Sequence, residues 1–189
     1  MTPVSLWRVF PWDPTAAEGD RFSAAFVSGG QGGNRFDLAG QSAGVIYLAE
    51  SEVHAVAEVI QRFRNTRDPL TNDDLTSWGH RLALVEARLD PAVWPDVVDL
   101  CDPAALTDLR LTADEPPMRD RTHTRAIAFE VFGRGMSGLH WWSAFWGEWH
   151  TVVLFRQRFA PESLTYAEPI RLDCTIQAVI EATRLLDIG

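Results

Sequence analysis

The chain has 189 residues, 46% of them hydrophobic and 23% charged, with a formal net charge of −9. That length fits one domain able to bury roughly 70% of its unfolded surface, so a core needs no disulfide or metal staple. All 17 basic residues are arginine; this excludes a Schiff-base lysine and a lysine-dependent phosphate loop, and an acidic chain without a basic run is a poor ligand for nucleic acid.

No apolar run approaches the roughly 18 residues of a membrane span. The N-terminus, MTPVSLWRVFPWD, lacks a basic stretch followed by an apolar one, so no signal peptide is expected and the protein is expected in the cytoplasm. Cys101 and Cys174 lie far apart; they read as buried thiols, with a disulfide left open.

The segment LWRVF (6–10) predicts a first strand, stopped by Pro11 and Pro14. Residues 13–44 are rich in Gly, Ser and Ala and predict a long loop, a feature that is usually functional or mobile. Residues 45–49 predict a short strand, and Ser51 caps a helix on which Val53, Val56, Ala57, Ile60 and Phe63 recur at helical spacing. Arg62, Arg64 and Arg67 read as a solvated helix end. A short helix is expected over 71–79, a strand over 82–89, another over 97–101 and a helical turn from Pro103. Pro116 and Pro117 break the chain, and a helix over 124–132 ends at Gly133. Strands over 139–145 and 151–155 and an amphipathic helix over 174–187 complete the set. Strands and helices mix without strict alternation, which predicts an α+β fold in a single domain over 1–189.

Four side chains carry potential chemistry. Arg35 sits in GGQGGNRF, where glycines let amides approach an anion and the guanidinium can grip two phosphate oxygens; the plainer reading is an incidental arginine on a surface loop. Tyr47 lies in the apolar strand VIYLA and is either core or a ring for stacking on a planar heterocycle. Glu58 lies off the apolar stripe of its helix. It reads as a solvated carboxylate, or as one facing a cleft to bond a ribose hydroxyl and stabilise an oxocarbenium-like transition state. Ser143 follows Trp141 and Trp142; it is a solvent-facing strand serine or a hydrogen-bonding group, and no G-x-S-x-G elbow makes it a nucleophile. The five histidines show no metal-ligand spacing, so no metal is expected. The tryptophans around 141–149 read as core, or in part as the wall of a nucleobase or nicotinamide pocket.

Together these segments resemble the RES domain family, named for its arginine, glutamate and serine. The resemblance runs from LWRVF through GGNRFDLAG, VIYLAESEVHAVAEV and VVDLCD to GLHWWS and VVLF, nearly the whole chain. Its most specific part is the order of a Gly-preceded Arg35, a Y-L-A-E-S strand-to-helix junction and a helix glutamate eleven residues after Tyr47. Arg35, Tyr47, Glu58 and Ser143 match the family's positions, and Arg8 in the first strand matches a further arginine. Phe36 and Asp37 stand where many members have Trp-Asn.

The resemblance implies an ADP-ribosyltransferase-like fold with a mixed sheet core and flanking helices. It implies an NAD-degrading enzyme, an NAD phosphorylase or glycohydrolase, acting as the toxin of a bacterial toxin–antitoxin pair. NAD is then substrate rather than cofactor, and inorganic phosphate a candidate co-substrate. Arg35 and Arg8 would hold the pyrophosphate and Tyr47 would pack on the nicotinamide or its ribose. Glu58 would stabilise charge at the anomeric carbon, and Ser143 would bond that ribose or orient Glu58. The implied partner is a helix-turn-helix-type antitoxin, in a homodimer or a larger complex. ADP-ribosyl transfer to a protein and a non-catalytic RES-like interaction module are the alternatives.

Overall fold

A computed structural model describes residues 2–28, 31–38, 40, 44–66, 68–116, 120–143 and 147–189. The expectations for Gly29, Gly30, residues 39 and 41–43 of the long loop, Arg67, Pro117 and residues 144–146 lie outside the described residues. In chain order the first elements are β1 (Val4–Pro11), β2 (Val45–Ala49), α1 (Glu52–Ile60), β3 (Thr76–Ser77) and β4 (His80–Leu89). Then follow β5 (Val97–Asp99), α2 (Pro103–Leu109), α3 (Arg121–Gly133), β6 (Gly138–Trp142) and β7 (His150–Phe155). The last are β8 (Leu164–Tyr166), β9 (Ile170–Arg171) and α4 (Gln177–Leu185). The fold is α+β, as expected. No helix among the described residues is long and apolar enough to cross a membrane.

The chain forms two compact units, one of Met1–Val4, Val27–Leu48 and Arg88–Leu164, the other of Ser5–Phe26, Ala49–Ala87 and Thr165–Gly189. In the first, the strands run in the order β2-β7-β6-β5. β6 pairs antiparallel with β7, Gly138 opposite Leu154 and Trp142 opposite His150. It pairs parallel with β5, Val97 beside Gly138 and Asp99 beside His140. Parallel neighbours need a long crossover, and α2 and α3 supply it. A side chain at position 138 would run into the Val153 carbonyl, so the close β6–β7 approach requires glycine there. Asp120 caps α3 by accepting from the Thr122 amide at 2.8 Å, and Ile127, Ala128 and Val131 of α3 pack with Phe36, Leu139, Val153 and Phe155 in the core.

In the second unit β1 meets the end of β2, Trp7 opposite Ala49, and β9 pairs with β4, Ala83 opposite Arg171. α1 packs on α4, burying Ala55, Val56, Ala57 and Ile60 with Ala178, Val179 and Ala182. The helix expected over 71–79 does not form. Asp74 turns back to accept from the Thr71 amide and hydroxyl at 2.9 and 2.6 Å. Trp78 and Gly79, with φ of 54° and 79°, then make a two-residue hairpin turn between β3 and β4. Side-chain bonding to nearby backbone competes with helix in this way, and two positive φ values suit a tight hairpin. The terminal helix begins at Gln177 rather than 174 because Asp173 folds a turn onto Thr175, its Oδ1 taking that amide at 2.7 Å. Both cysteines are half-buried and unbridged.

Candidate functional site

In the first unit the Arg35 loop is tied down by a buried carboxyl. Asp37 is fully buried and accepts from the Asn34 amide at 2.7 Å and from the Tyr47 hydroxyl at 2.9 Å. The same hydroxyl accepts from the Phe36 amide at 3.0 Å. Tyr47 on β2 therefore fastens both residues that follow Arg35. Burial pushes the Tyr47 phenol far above its ordinary pKa and the adjacent Asp37 pushes the same way, against the opposing pull of the Phe36 amide and Arg35; the hydroxyl stays protonated and keeps its donor.

Helix α3 supports the loop from the other side. The buried Thr124 hydroxyl donates to the Arg35 carbonyl at 2.6 Å. Arg125 donates to the carbonyls of Asn34, at 3.2 Å, and Gly32. Phe36 is a core wedge, its ring 4.2 Å from that of Trp141. The Arg35 guanidinium donates to the Pro116 carbonyl and lies over the Phe36 ring at 5.6 Å. The loop is thus a built cradle, not an incidental surface segment, and the Phe-Asp pair explains itself: Phe36 fills the core and Asp37 gathers donors.

Ser143 lies just past β6, whose last residue is Trp142. It is buried, so the solvent-facing alternative falls away. Its amide donates to the Trp149 carbonyl at 2.5 Å, just before β7.

In the second unit Glu58 is held by two side chains of its own segment. Its Oε1 lies 3.1 Å from Nε2 of His54, one helical turn earlier, and its Oε2 accepts from Gln61 at 3.1 Å. His54 is 1% exposed and Glu58 37%. The carboxylate is therefore oriented by its own helix segment and partly exposed, unlike the freely solvated group that periodicity suggests. Ser51 starts the helix by accepting from the His54 amide at 3.2 Å. Arg8 on β1 donates to the carbonyls of Ala24 and Phe26 at 3.1 and 3.4 Å, and its guanidinium lies 5.6 Å from the centre of the Phe10 ring.

Within the first unit, then, Arg35 and Tyr47 share one hydrogen-bonded loop, with Ser143 on the strand turn beyond β6. Within the second, Glu58 and Arg8 sit on α1 and β1. Reading the sequence missed Asp37, His54, Gln61, Thr124 and Arg125. His54 had a legible signal, a histidine four residues before a helix glutamate. Asp37 and Thr124 had none, since Tyr47 and Arg35, the partners that tie them to the loop, come from distant segments.

A chain of the M. tuberculosis MbcT–MbcA toxin–antitoxin complex matches this fold with a TM-score of 0.64 at 18% identity, over 98% of this chain and 90% of that one. No curated protein matches the sequence. The profile of the RES domain matches residues 5–174. That span takes in Arg8, Arg35, Tyr47, Glu58 and Ser143, and the chain belongs to the RES domain family.

Proposed function

We propose that this protein is an NAD-degrading enzyme that cleaves the nicotinamide–ribose bond and serves as the toxin of a toxin–antitoxin pair. The observation that carries the reading is Glu58, in a chain of the RES family, oriented by a buried histidine and a glutamine while its carboxylate stays partly exposed. A carboxylate fixed in this way is suited to charge that develops only in the transition state, because it needs no reorganisation as the bond breaks.

Each residue takes a role its chemistry fits. The guanidinium groups of Arg35 and Arg8 bind the pyrophosphate through charge-assisted bonds. Tyr47 packs on the nicotinamide or its ribose while its hydroxyl fixes the Arg35 loop. Ser143 bonds the ribose. As nicotinamide departs with the electron pair of the glycosidic bond, Glu58 stabilises the oxocarbenium character left on the ribose. Water or inorganic phosphate then captures the anomeric carbon, giving ADP-ribose or its 1-phosphate. NAD acts as substrate, in the cytoplasm, and no further cofactor takes part.

The solved complex of a similarly folded chain pairs a toxin with an antitoxin; by extension a helix-turn-helix-type antitoxin is proposed as this protein's partner. Induced expression in a bacterium tests the reading. NAD should fall within the first generations and growth should stop, with neither effect from Glu58→Gln. Growth arrest with an undiminished NAD pool would contradict it.

A further inference from the structure

Three potential ligand atoms converge at the end of β5 in the first unit, on residues that the proposed NAD chemistry does not use. One atom each from Asp99, Cys101 and His140 lies within 4.8 Å of the other two. The parallel register places Asp99 beside His140, and His140 Nδ1 is 2.9 Å from Asp99 Oδ1. The Leu100 amide donates to the His140 carbonyl at 2.8 Å, locking the strand ends together. Cys101 follows in the turn, its amide donating to Asp99 Oδ1 at 2.9 Å. His150 on β7 adds a second imidazole, its ring centre 4.9 Å from that of His140.

We propose that Asp99, Cys101 and His140 bind a divalent transition-metal ion of the zinc class. Thiolate and imidazole together select a borderline-soft ion over magnesium or calcium, which take oxygen ligands. Zinc bonds of about 2.0–2.3 Å put tetrahedral ligands roughly 3.3–3.8 Å apart, so these atoms need only small side-chain adjustments. Charge balances as well. One carboxylate and one thiolate neutralise a dication, and the imidazole binds neutral. The Asp99 carboxylate is already fixed in place by the Cys101 amide and faces the His140 ring. Binding forms the metal–sulfur, metal–nitrogen and metal–oxygen bonds and releases one proton, that of the Cys101 thiol; the His140 proton moves to its other ring nitrogen. His140 lies three residues before Ser143, so the ion would tether the strand that leads to that serine.

The test uses the full chain, stripped with chelator and then titrated with zinc or cobalt chloride. The expected result is one equivalent bound, about one proton released as read by calorimetry in buffers of different ionisation enthalpy, and a thiolate-to-cobalt charge-transfer band that zinc abolishes. Cys101→Ser should lose that band and weaken binding by more than the roughly 10–100-fold cost of losing an outer-shell partner. Cys174→Ser, with its cysteine in the other unit, should keep the band. Circular dichroism of the stripped variants checks that they fold. His140→Ala should weaken binding while retaining a sulfur–cobalt band. Failure of the folded wild-type protein to bind zinc, or a cobalt spectrum unchanged by Cys101→Ser, would overturn the proposal.

Discussion

His54 Nε2 lies 3.1 Å from Glu58 Oε1, and the histidine is buried while the glutamate is not. The pair spans one turn of α1, so the helix itself fixes its geometry. His54→Ala leaves a cavity beneath Glu58 and removes a hydrogen-bond partner. The expected cost is about 1–3 kcal/mol of stability, read from urea unfolding, together with a fall in kcat that exceeds any rise in KM. An unchanged kcat would show that Glu58 needs no support from below.

Glu58→Gln keeps the shape of the side chain and removes its charge. Loss of one preorganised electrostatic partner typically costs about 10²–10³ in rate. NAD turnover should fall by that order while the unfolding midpoint stays close to that of the parent. Steady-state kinetics beside a denaturation curve separates the two effects.

Asp37 offers a chemical test of the Arg35 cradle. Its two oxygens accept from the Asn34 amide and the Tyr47 hydroxyl. In Asp37→Asn one of those oxygens becomes an NH₂ donor, which faces a donor here. One buried bond is lost, and the expected destabilisation is about 1–3 kcal/mol, with a higher KM for NAD. A variant as stable as the parent would mean that the loop can rearrange around an amide.

Tyr47 makes a prediction in pH. Its folded-state pKa lies above the unfolded value of about 10. The native state therefore keeps a proton that the unfolded chain releases. The stability this contributes is complete below about pH 10 and declines as pH rises further, by about 1.4 kcal/mol per pH unit. Tyr47→Phe should be less stable near neutrality, because Phe36 and Asp37 lose a partner, yet it should lack this share of the alkaline decline. Urea unfolding between pH 9 and 11 compares the two slopes, and equal slopes would contradict the burial of the phenol.

Local signals carried much of the fold. The apolar run 45–49 and the Ser51 cap placed β2 and α1 where they stand, because strand pattern and cap chemistry reside in adjacent residues. The failures were of two physical kinds. Over 71–79 the Asp74 side chain and the Trp78–Gly79 turn outbid helix formation, and tryptophan at a positive φ is not a residue that advertises a hairpin. On α1 the buried face takes in His54 as well as Val56 and Ile60, so a stripe drawn from apolar residues alone misjudged which side supports Glu58. Asp37 and Thr124 act through segments ten and eighty-nine residues away, and no spacing along the chain reports such partners.

Cleavage of NAD is read by incubating the purified protein with NAD, with and without inorganic phosphate, and following free nicotinamide by chromatography. Nicotinamide should be released, and Glu58→Gln should slow that release by about 10²–10³; acceleration by phosphate would identify a phosphorylase, and indifference to phosphate a glycohydrolase. No release from folded protein free of bound partner would contradict it.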